Sequence, residues 1–144
     1  MEEFVKKGIY VILYDVLDGS INYVILKRKE GWIGWEILKG GIKDNEDIND
    51  TAKRETLEEV SLTVDVVKST EQSIFFSEKD GKRIRHEMIG TFFAKVLNHN
   101  LILSDEHSEF RFVNLDEALE MLSFDDVKTL LVKVDKEIRK YEGL

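Results

Sequence analysis

The chain has 144 residues, 42% of them hydrophobic, and its 29 acidic and 21 basic side chains give a net charge of −8. This composition suits one packed domain. Its negative charge argues against nonspecific binding to nucleic acid or to an anionic membrane surface, since both need exposed Lys and Arg. The absence of cysteine excludes disulfides, zinc–thiolate sites and cysteine nucleophiles. The longest apolar run near the N-terminus, Ile9 to Tyr14, is too short for a secretory signal or a membrane span. We therefore expect one cytoplasmic domain over residues 1–144, as a monomer or a homodimer.

The first part of the chain has the apolar, β-branched composition of strands. Gly8–Asp15 and Ile21–Lys27 flank the turn signal Asp18-Gly19, which indicates a hairpin. Trp32–Leu38 predicts a third short strand that ends at Gly40-Gly41.

A helical period replaces the strand pattern over Ile48–Val60. The candidate N-cap oxygens just before or at its start belong to Asp47, Asn49 and Asp50. The side chains predicted to face inward are those of Ala52, Thr56 and Leu57.

The second half of the chain predicts another hairpin and the closing helices. Ser73–Ser77 and Ile84–Val96 flank the turn signal Lys79-Asp80-Gly81. The remaining predicted elements are a strand over Phe110–Val113 and helices over Asp116–Leu122 and Asp125–Tyr141. This order predicts an α/β (α+β) fold in which helices cover both faces of a central mixed β-sheet.

Three glutamates of the predicted helix carry the first chemical signal. Glu55, Glu58 and Glu59 lie at positions i, i+3 and i+4, so they project from one side of the helix. Three like charges at this spacing repel by a few tenths of a kcal/mol per pair in solvent. A divalent cation would reverse the sign of that interaction, and carboxylate oxygens are the ligands that Mg²⁺ or Mn²⁺ prefers. Taken alone, the same three residues also fit a solvated glutamate-rich face on an acidic protein.

The residues before these glutamates narrow the interpretation. Gly40-Gly41 allows a sharp turn that brings the backbone close to a ligand. Glu46 precedes Arg54 by eight positions, so an ion pair between them would hold the loop against the helix. Together these positions fill the pattern G-x5-E-x7-R-E-x-x-E-E.

This pattern resembles the signature of the Nudix hydrolase family, G-x5-E-x7-R-E-U-x-E-E-x-G-U, where U is a bulky aliphatic residue. The matching positions are Gly40, Glu46, Arg54, Glu55, Glu58, Glu59 and Leu62. Two positions depart from the signature, since Thr56 replaces the first aliphatic residue and Ser61 replaces the glycine that ends the helix. A left-handed helix end favours glycine, so Ser61 implies a small loss of stability but no lost ligand.

The resemblance implies a Nudix-like α/β/α sandwich and the hydrolysis of a nucleoside diphosphate linked to another group, with Mg²⁺ or Mn²⁺ as cofactor. It implies that Glu55, Glu58 and Glu59 are metal ligands, with the Gly40 carbonyl as a further one. By the same likeness, Arg54 and Glu46 orient the loop and the catalytic helix. Metal ions in such a site offset the charge of a polyphosphate and activate a bound water.

A second resemblance, outside the signature, is to the asymmetric diadenosine tetraphosphate hydrolases within this family. Trp35–Gly41 is similar to their W-x-x-P-K-G segment, and Ser104–Phe112 to their S-x-E-H-x-x-Y-R-W segment. The residues that depart from these two segments are Leu38, Phe110 and Phe112. The likeness implies that Glu106 reaches the metal site from a loop and is a candidate general base. The alternatives are that Glu106 is one more loop acid and that His107 is a structural residue.

Candidate substrate contacts come from basic and aromatic residues. Lys39 precedes the glycines and is placed to reach a phosphate. The basic residues that gather around the second hairpin are Lys79, Lys82, Arg83 and Arg85, for which ordinary solvation is the alternative. The aromatic residues considered for base stacking are Phe75, Phe76, Trp32 and Phe110, for which burial in the core is the alternative.

These observations lead to one leading hypothesis and two others. The leading one is a metal-dependent pyrophosphohydrolase that cleaves diadenosine tetraphosphate to ATP and AMP. The second is a pyrophosphohydrolase of nucleoside triphosphates or of RNA 5′-triphosphate ends, although the charge of −8 argues against a long basic track for RNA. The third is a non-catalytic nucleotide-binding module. In every case the expected partner is a small nucleotide, without a membrane.

Overall fold

The computed structural model describes residues 3–144, which form eight strands and three helices. The strands are β1 (Glu3–Leu17), β2 (Ser20–Arg28), β3 (Gly34–Glu36), β4 (Leu38–Gly41), β5 (Val67–Lys68), β6 (Ser73–Lys79), β7 (Lys82–Lys95) and β8 (His107–Val113). The helices are α1 (Ile48–Val60), α2 (Leu115–Met121) and α3 (Asp125–Glu142). None of these helices is long and apolar enough to span a membrane.

The sheet is mixed, as the order of elements predicted. β1 and β7 run parallel at its centre, from the pair Glu3–Arg83 to the pair Tyr14–Lys95. The remaining pairings are antiparallel: β2 with β1, β3 and β8, β4 with β1, and β5 and β6 with β7. A bulge in β7 beside Gly8 and Ile9 shifts the register, so the residues of β7 that face each side change parity there.

Helices cover both faces of the sheet, which confirms the predicted α/β/α sandwich. Alternate residues of β1 point to opposite layers, because side chains alternate along a strand. Ile9, Val11 and Leu13 pack in one buried cluster with Ala52 and Val60 of α1. The buried cluster on the other face joins residues of β1 to α2 and α3 through Tyr10, Ile12, Tyr14, Ala118, Leu131 and Ile138.

Both predicted hairpin turns are confirmed. Asp18 and Gly19 have φ of 51° and 76°, and Asp80 and Gly81 have φ of 53° and 72°. Two consecutive positive φ angles are the geometry of a type I′ turn, which matches the twist of the flanking strands and favours an Asp-Gly pair.

The segment Trp32–Leu38 differs from the prediction of one strand. It contains β3, which pairs with β2, and the start of β4, which pairs with β1. β1 and β2 pair with each other only near their turn, over Tyr14–Leu17 and Ser20–Tyr23. Because the two strands separate beyond that point, the segment passes from the edge of one to the edge of the other.

Smaller differences lie at the ends and faces of elements. β8 begins at His107, three residues before the predicted Phe110, because its polar first residues also pair with β2. α2 begins at Leu115 and ends at Met121, one residue earlier than predicted at each end, and α3 runs to Glu142. The two-residue strand β5 was not predicted, because two residues show no period.

Helix α1 has the predicted bounds, and Asp47 is its N-cap, accepting a hydrogen bond from the backbone N–H of Asn49 at 2.8 Å. The inward positions include Ala52 and Thr56, as predicted, but the prediction for Leu57 was wrong because its side chain is 55% exposed. The buried positions of the helix are Thr51, Ala52, Glu55, Thr56 and Val60. A polar residue, Glu55, thus occupies an inward position that an apolar pattern does not reveal.

Helix α1 ends at Ser61, which has the left-handed φ of 59° and ψ of 33°. The Ser61 hydroxyl donates a hydrogen bond to the carbonyl of Ile102 at 3.1 Å. We expect Ser61→Gly to be more stable than Ser61→Ala by about 1 kcal/mol, because both lose this bond and only alanine keeps the left-handed strain. Denaturant unfolding of the two variants measures the difference.

The same pair of substitutions at Ser108, an exposed strand residue outside the positive-φ region, is the matched control. There alanine should be the more stable residue, since glycine weakens a strand. Equal stability of the two variants at position 61 would contradict the strain at the helix end.

Candidate active site

Arg54 ties the loop before α1 to the helix. Its guanidinium donates to Glu46 through Nε at 2.8 Å and through Nη2 at 2.9 Å, and Nη2 also donates to the carbonyl of Gly41 at 2.8 Å. The Thr51 hydroxyl donates to Glu46 at 2.7 Å. The bonds from Arg54 and Thr51 lower the pKa of Glu46 to about 2. The sequence-predicted ion pair is therefore present, with charge-assisted bidentate geometry.

The same guanidinium contacts two of the three helix glutamates. Arg54 Nη1 lies 2.8 Å from Glu55 Oε1 and 3.1 Å from Glu58 Oε2. Glu55 is buried, and burial raises its pKa although Arg54 opposes the shift. Glu58 is half-exposed, with 50% of its side chain accessible. The two carboxylates thus share one cation, and the buried one still favours a further positive charge.

Gly40 lies directly against Glu55. A Cβ atom at Gly40 would come within 2.1 Å of Glu55 Cδ, so a larger residue would displace the carboxylate. The Gly40 carbonyl lies near Gly8 in the paired strand, 2.8 Å from where a Cβ of Gly8 would be. This glycine is therefore required by a close approach of strand and helix, which the sequence indicated only as a turn.

Glu59 belongs to a second group of carboxylates. Possible ligand atoms of Glu59, Glu106 and His107 all lie within 4.8 Å of one another. The Ser104 hydroxyl donates to Glu59 Oε2 at 2.6 Å, which connects the loop before β8 to α1. Of the predicted ligands, Glu59 and Glu106 thus come together, while Glu55, one helical turn before Glu59, and Glu58, its neighbour in the chain, both contact Arg54.

His107 is buried between two carboxylates. Its Nε2 lies 2.8 Å from Glu36 Oε2, and its Nδ1 lies 3.4 Å from Glu59 Oε2. Burial alone would lower the pKa of His107, but Glu36 and Glu59 outweigh it and raise the pKa to about 9. Burial likewise favours protonated Glu36, and His107, Lys39 and Arg28 outweigh it, so the pKa of Glu36 is lowered. At neutral pH the three side chains therefore form a buried anion–cation–anion bridge.

A cleft of about 840 Å³ opens beside β4 and the hairpin of β6 and β7. The sequence-predicted substrate residues that line it are Lys39, Lys79, Phe75, Phe76 and Trp32. Phe75 stacks on His86 with ring centroids 4.3 Å apart, and Lys39 Nζ lies 4.9 Å from the centroid of Phe75. On another part of the lining, Trp32 contacts Phe124 edge-on at 5.0 Å. The cleft thus combines two aromatic pairs with basic side chains.

Arg28 and Glu36 join this cleft to the carboxylates. Both line the cleft, and Arg28 Nη1 lies 3.3 Å from Glu36 and 3.9 Å from Glu106. Lys39 Nζ lies 3.7 Å from the other oxygen of Glu36. Sequence reasoning missed both residues as site residues. Glu36 could have been noticed as a charged residue inside an apolar strand. Arg28 could have been noticed as a basic residue at the end of β2, the strand that pairs with the segment after Glu106.

Several predicted substrate residues lie outside the cleft lining. Lys82 Nζ lies over the ring of Phe4 at 5.1 Å. Arg83 and Arg85 point to the face opposite Ile84 and His86 and stack on Phe76, because residues of β7 alternate between faces. Phe110 packs against the cluster beneath α1. Substrate roles for Lys82, Arg83, Arg85 and Phe110 stay predictions without support from this geometry.

The sequence is similar to that of known proteins over most of its length. Residues 6–132 match the NUDIX domain family. An asymmetrical bis(5′-nucleosyl)-tetraphosphatase of Caenorhabditis elegans is 25% identical over 133 residues, covering 90% of this chain and 94% of the relative. One of the same name from Rattus norvegicus is 26% identical over 118 residues, covering 78% of this chain and 77% of the relative.

Solved structures show the same fold. A C. elegans Ap4A hydrolase in a binary complex superposes with a TM-score of 0.75 at 23% identity, covering 94% of this chain and 98% of that one. A MutT protein from Methanosarcina mazei superposes with a TM-score of 0.74 at 21% identity, covering 96% of this chain and 99% of that one. The fold predicted from the sequence is therefore shared across nearly the whole chain.

The bonds to Glu46 predict a pH dependence of stability. A carboxyl whose pKa falls from 4.5 to about 2 on folding contributes stability that is complete above pH 4.5 and is lost as the pH falls towards 2. The stability advantage of the wild type over Glu46→Gln should therefore be constant above pH 4.5 and shrink below it. Urea unfolding of both proteins across this range measures the difference.

Asp44→Asn is the matched control, because it removes the same charge from an exposed residue of the same loop. A stability difference between wild type and Glu46→Gln that does not change with pH would contradict a functional ion pair with Arg54 in solution.

Proposed function

Because the chain belongs to the Nudix domain family, whose hydrolases act on pyrophosphate bonds, we propose that it is a metal-dependent hydrolase of dinucleoside polyphosphates that cleaves diadenosine tetraphosphate to ATP and AMP. The observation that carries this proposal is the cleft, whose lining holds two aromatic pairs and Lys and Arg side chains and whose residues Glu36 and Arg28 contact His107 and Glu106. A polyphosphate with a nucleoside at each end needs stacking surfaces and positive charge in one cavity. The name of the C. elegans and rat relatives supports the same substrate class.

The charges of the cleft support a polyanionic ligand. Its lining carries four basic side chains, Lys6, Arg28, Lys39 and Lys79, and three acidic ones, Glu36, Glu78 and Asp126. The chain as a whole has a net charge of −8, so the cleft is locally the favourable place for phosphate groups. Lys39 and Arg28 are our candidates for direct phosphate contacts, because both also lie close to the carboxylate end of the cleft.

The donor set of α1 fits Mg²⁺ or Mn²⁺. Glu55, Glu58, Glu59 and Glu106 offer hard carboxylate oxygens, and burial raises the pKa of Glu55, which is consistent with a further cation beside it. We propose that these four residues hold the metal, with the Gly40 carbonyl as a further ligand. When bound, such ions neutralise phosphate charge and lower the pKa of a water molecule that attacks phosphorus.

The chain's own residues divide the remaining tasks. Arg54 and Glu46 fix the loop on α1, so that the carboxylates keep their positions. Glu106, with 48% of its side chain exposed beside the cleft, is the candidate that accepts the proton of the attacking water. The new bond joins the water oxygen to phosphorus, and the bond from that phosphorus to the bridging oxygen of the leaving nucleotide breaks. Phe75 and Trp32 are the candidate surfaces for the two bases.

A competition assay with Mg²⁺ tests the substrate. Diadenosine tetraphosphate, nucleoside triphosphates, ADP-ribose and a short 5′-triphosphate RNA are incubated together, and mass spectrometry identifies the products. We expect ATP and AMP to form first. We expect Glu58→Gln to reduce this rate by about 100-fold or more, as loss of a group that stabilises charge in the transition state does. Glu120→Gln, at an exposed position of α2, is the matched control and should keep the wild-type rate.

Other products would change the assignment. Preferential release of pyrophosphate from triphosphates or RNA would support the triphosphate hypothesis within the same family. Nucleotide and Mn²⁺ binding without turnover of any of these compounds would support a non-catalytic binding module.

The position of Lys39 predicts a separation between binding and chemistry. We expect Lys39→Ala to raise the KM for diadenosine tetraphosphate by about tenfold or more, because a charge-assisted bond to phosphate contributes about 1.5–3 kcal/mol and about 1.4 kcal/mol is a factor of ten. Lys82→Ala, which removes the same charge from outside the cleft lining, should leave KM unchanged. Steady-state kinetics of the two variants measure this. An equal effect of both substitutions on KM would favour long-range electrostatic attraction of the substrate over a direct contact between Lys39 and phosphate in the cleft.

A further inference from the structure

A buried bridge connects the cleft to the catalytic helix through Glu36, His107 and Glu59. We propose that His107 and Glu36 are positioning residues, which hold the Glu59 carboxylate in the orientation in which it binds a divalent cation. This inference rests on the metal dependence in the proposed function. Neither residue is among the carboxylates assigned to the metal above.

The Glu59 carboxylate is held through one of its two oxygens. Its Oε2 atom accepts a hydrogen bond from Ser104 at 2.6 Å and faces His107 Nδ1 at 3.4 Å. Among the residues that the structure describes, no hydrogen bond reaches its other oxygen, Oε1. One oxygen is thus fixed by the protein, and the other is left for a cation. This is the way in which neighbours of a metal ligand commonly set its orientation.

His107 can fix Glu59 only because its own ring is fixed. The ring is 6% exposed, and Nε2 donates to Glu36 Oε2 at 2.8 Å. Nδ1 is buried without a hydrogen-bond partner, and it faces Glu59 Oε2 at a distance of 3.4 Å. An imidazole bonded through one nitrogen has a defined rotation, and its second nitrogen then points in a defined direction.

Glu36 is in turn anchored on both sides. Its backbone pairs with Leu26 in β2, and its carboxylate lies 3.3 Å from Arg28 and 3.7 Å from Lys39. The Glu36 carboxylate therefore belongs to the bridge and also contacts two of the basic side chains that line the cleft, Arg28 and Lys39. These contacts hold together Glu36 of the cleft lining, the ring of His107 and the proposed metal ligand Glu59 of α1.

Two substitutions of His107 separate its two contacts. The amide nitrogen of Gln can replace Nε2 and keep the bond to Glu36, whereas that of Asn can replace Nδ1 and keep the donor beside Glu59. We expect His107→Gln to weaken Mn²⁺ binding, measured by electron paramagnetic resonance without substrate, by about tenfold. His107→Asn keeps the donor beside Glu59 but loses the bond to Glu36, so it should recover only part of that loss. A purely structural role would lower the thermal stability of both variants and leave their Mn²⁺ affinities equal.

Ser104 provides a second variant that does not depend on the folding of the His107 variants. Ser104→Ala removes the other donor to Glu59 Oε2 and should also weaken Mn²⁺ binding, while Ser108→Ala, at an exposed position nearby, should not. Equal Mn²⁺ affinity of these two serine variants would overturn the proposal.

Three further outcomes are decisive. Nitrogen couplings in the electron spin echo spectrum of bound Mn²⁺ would show that His107 is itself a ligand, which would overturn a positioning role. Wild-type protein that does not bind Mn²⁺ would contradict the proposed function, and the inference with it. Tight Mn²⁺ binding that is unchanged in His107→Gln would overturn the inference alone.

Discussion

The guanidinium of Arg54 is the contact on which the carboxylate site depends. It reaches the loop through Glu46 and the Gly41 carbonyl, and it reaches the helix through Glu55 and Glu58. Only an arginine has a planar fork of five donors that can serve this many acceptors at once, and a lysine could not hold the same geometry. Without it, a run of acidic residues around a buried carboxylate would carry uncompensated repulsion.

The close contact between Gly40 and Glu55 adds the second constraint. The carboxylate of Glu55 occupies the space that a side chain at position 40 would need, so the backbone of β4 lies directly against a side chain of α1. Lys39, one residue earlier in the same strand, lines the cleft. The ion pair and the glycine therefore fix the carboxylates of α1 and Lys39 on two elements that are held to each other, which suits chemistry that needs fixed distances.

The parts of the structure that followed from the sequence are those with local causes. Asp18-Gly19 and Asp80-Gly81 predicted their turns because both positions need positive φ, and the bounds of α1 followed from its cap and its period. The order of elements predicted the layered fold, and the family likeness implied the same α/β/α sandwich. The parts that did not follow depend on residues that are distant in the chain: β3 and β4 take different partners because β1 and β2 separate, and Glu36 meets His107 across 71 positions.

Strand alternation explains why the sequence could not tell which basic residues of the second hairpin line the cleft. Arg83 and Arg85 share one parity and stack on Phe76, whereas Ile84 and His86 share the other and line the cleft. Period two alone separates these two pairs, but it does not tell which face holds the cleft. That choice depends on α3 and on the loop that carries Trp32, both of which reach the cleft through tertiary packing.

On the proposed function an acidic chain binds a polyanion, which presents an electrostatic difficulty, and the bridge through Glu36 and His107 indicates how this fold resolves it. Glu36 is a buried anion inside a cleft for phosphates, which would oppose binding if it stood alone. Arg28, Lys39 and His107 surround it, so its charge is already compensated and serves to hold two cations towards the cleft. On the proposed function, the carboxylates of α1 are compensated in the same manner, by Arg54 and by the metal. The negative charge of the site is then the means by which cations are placed against the substrate.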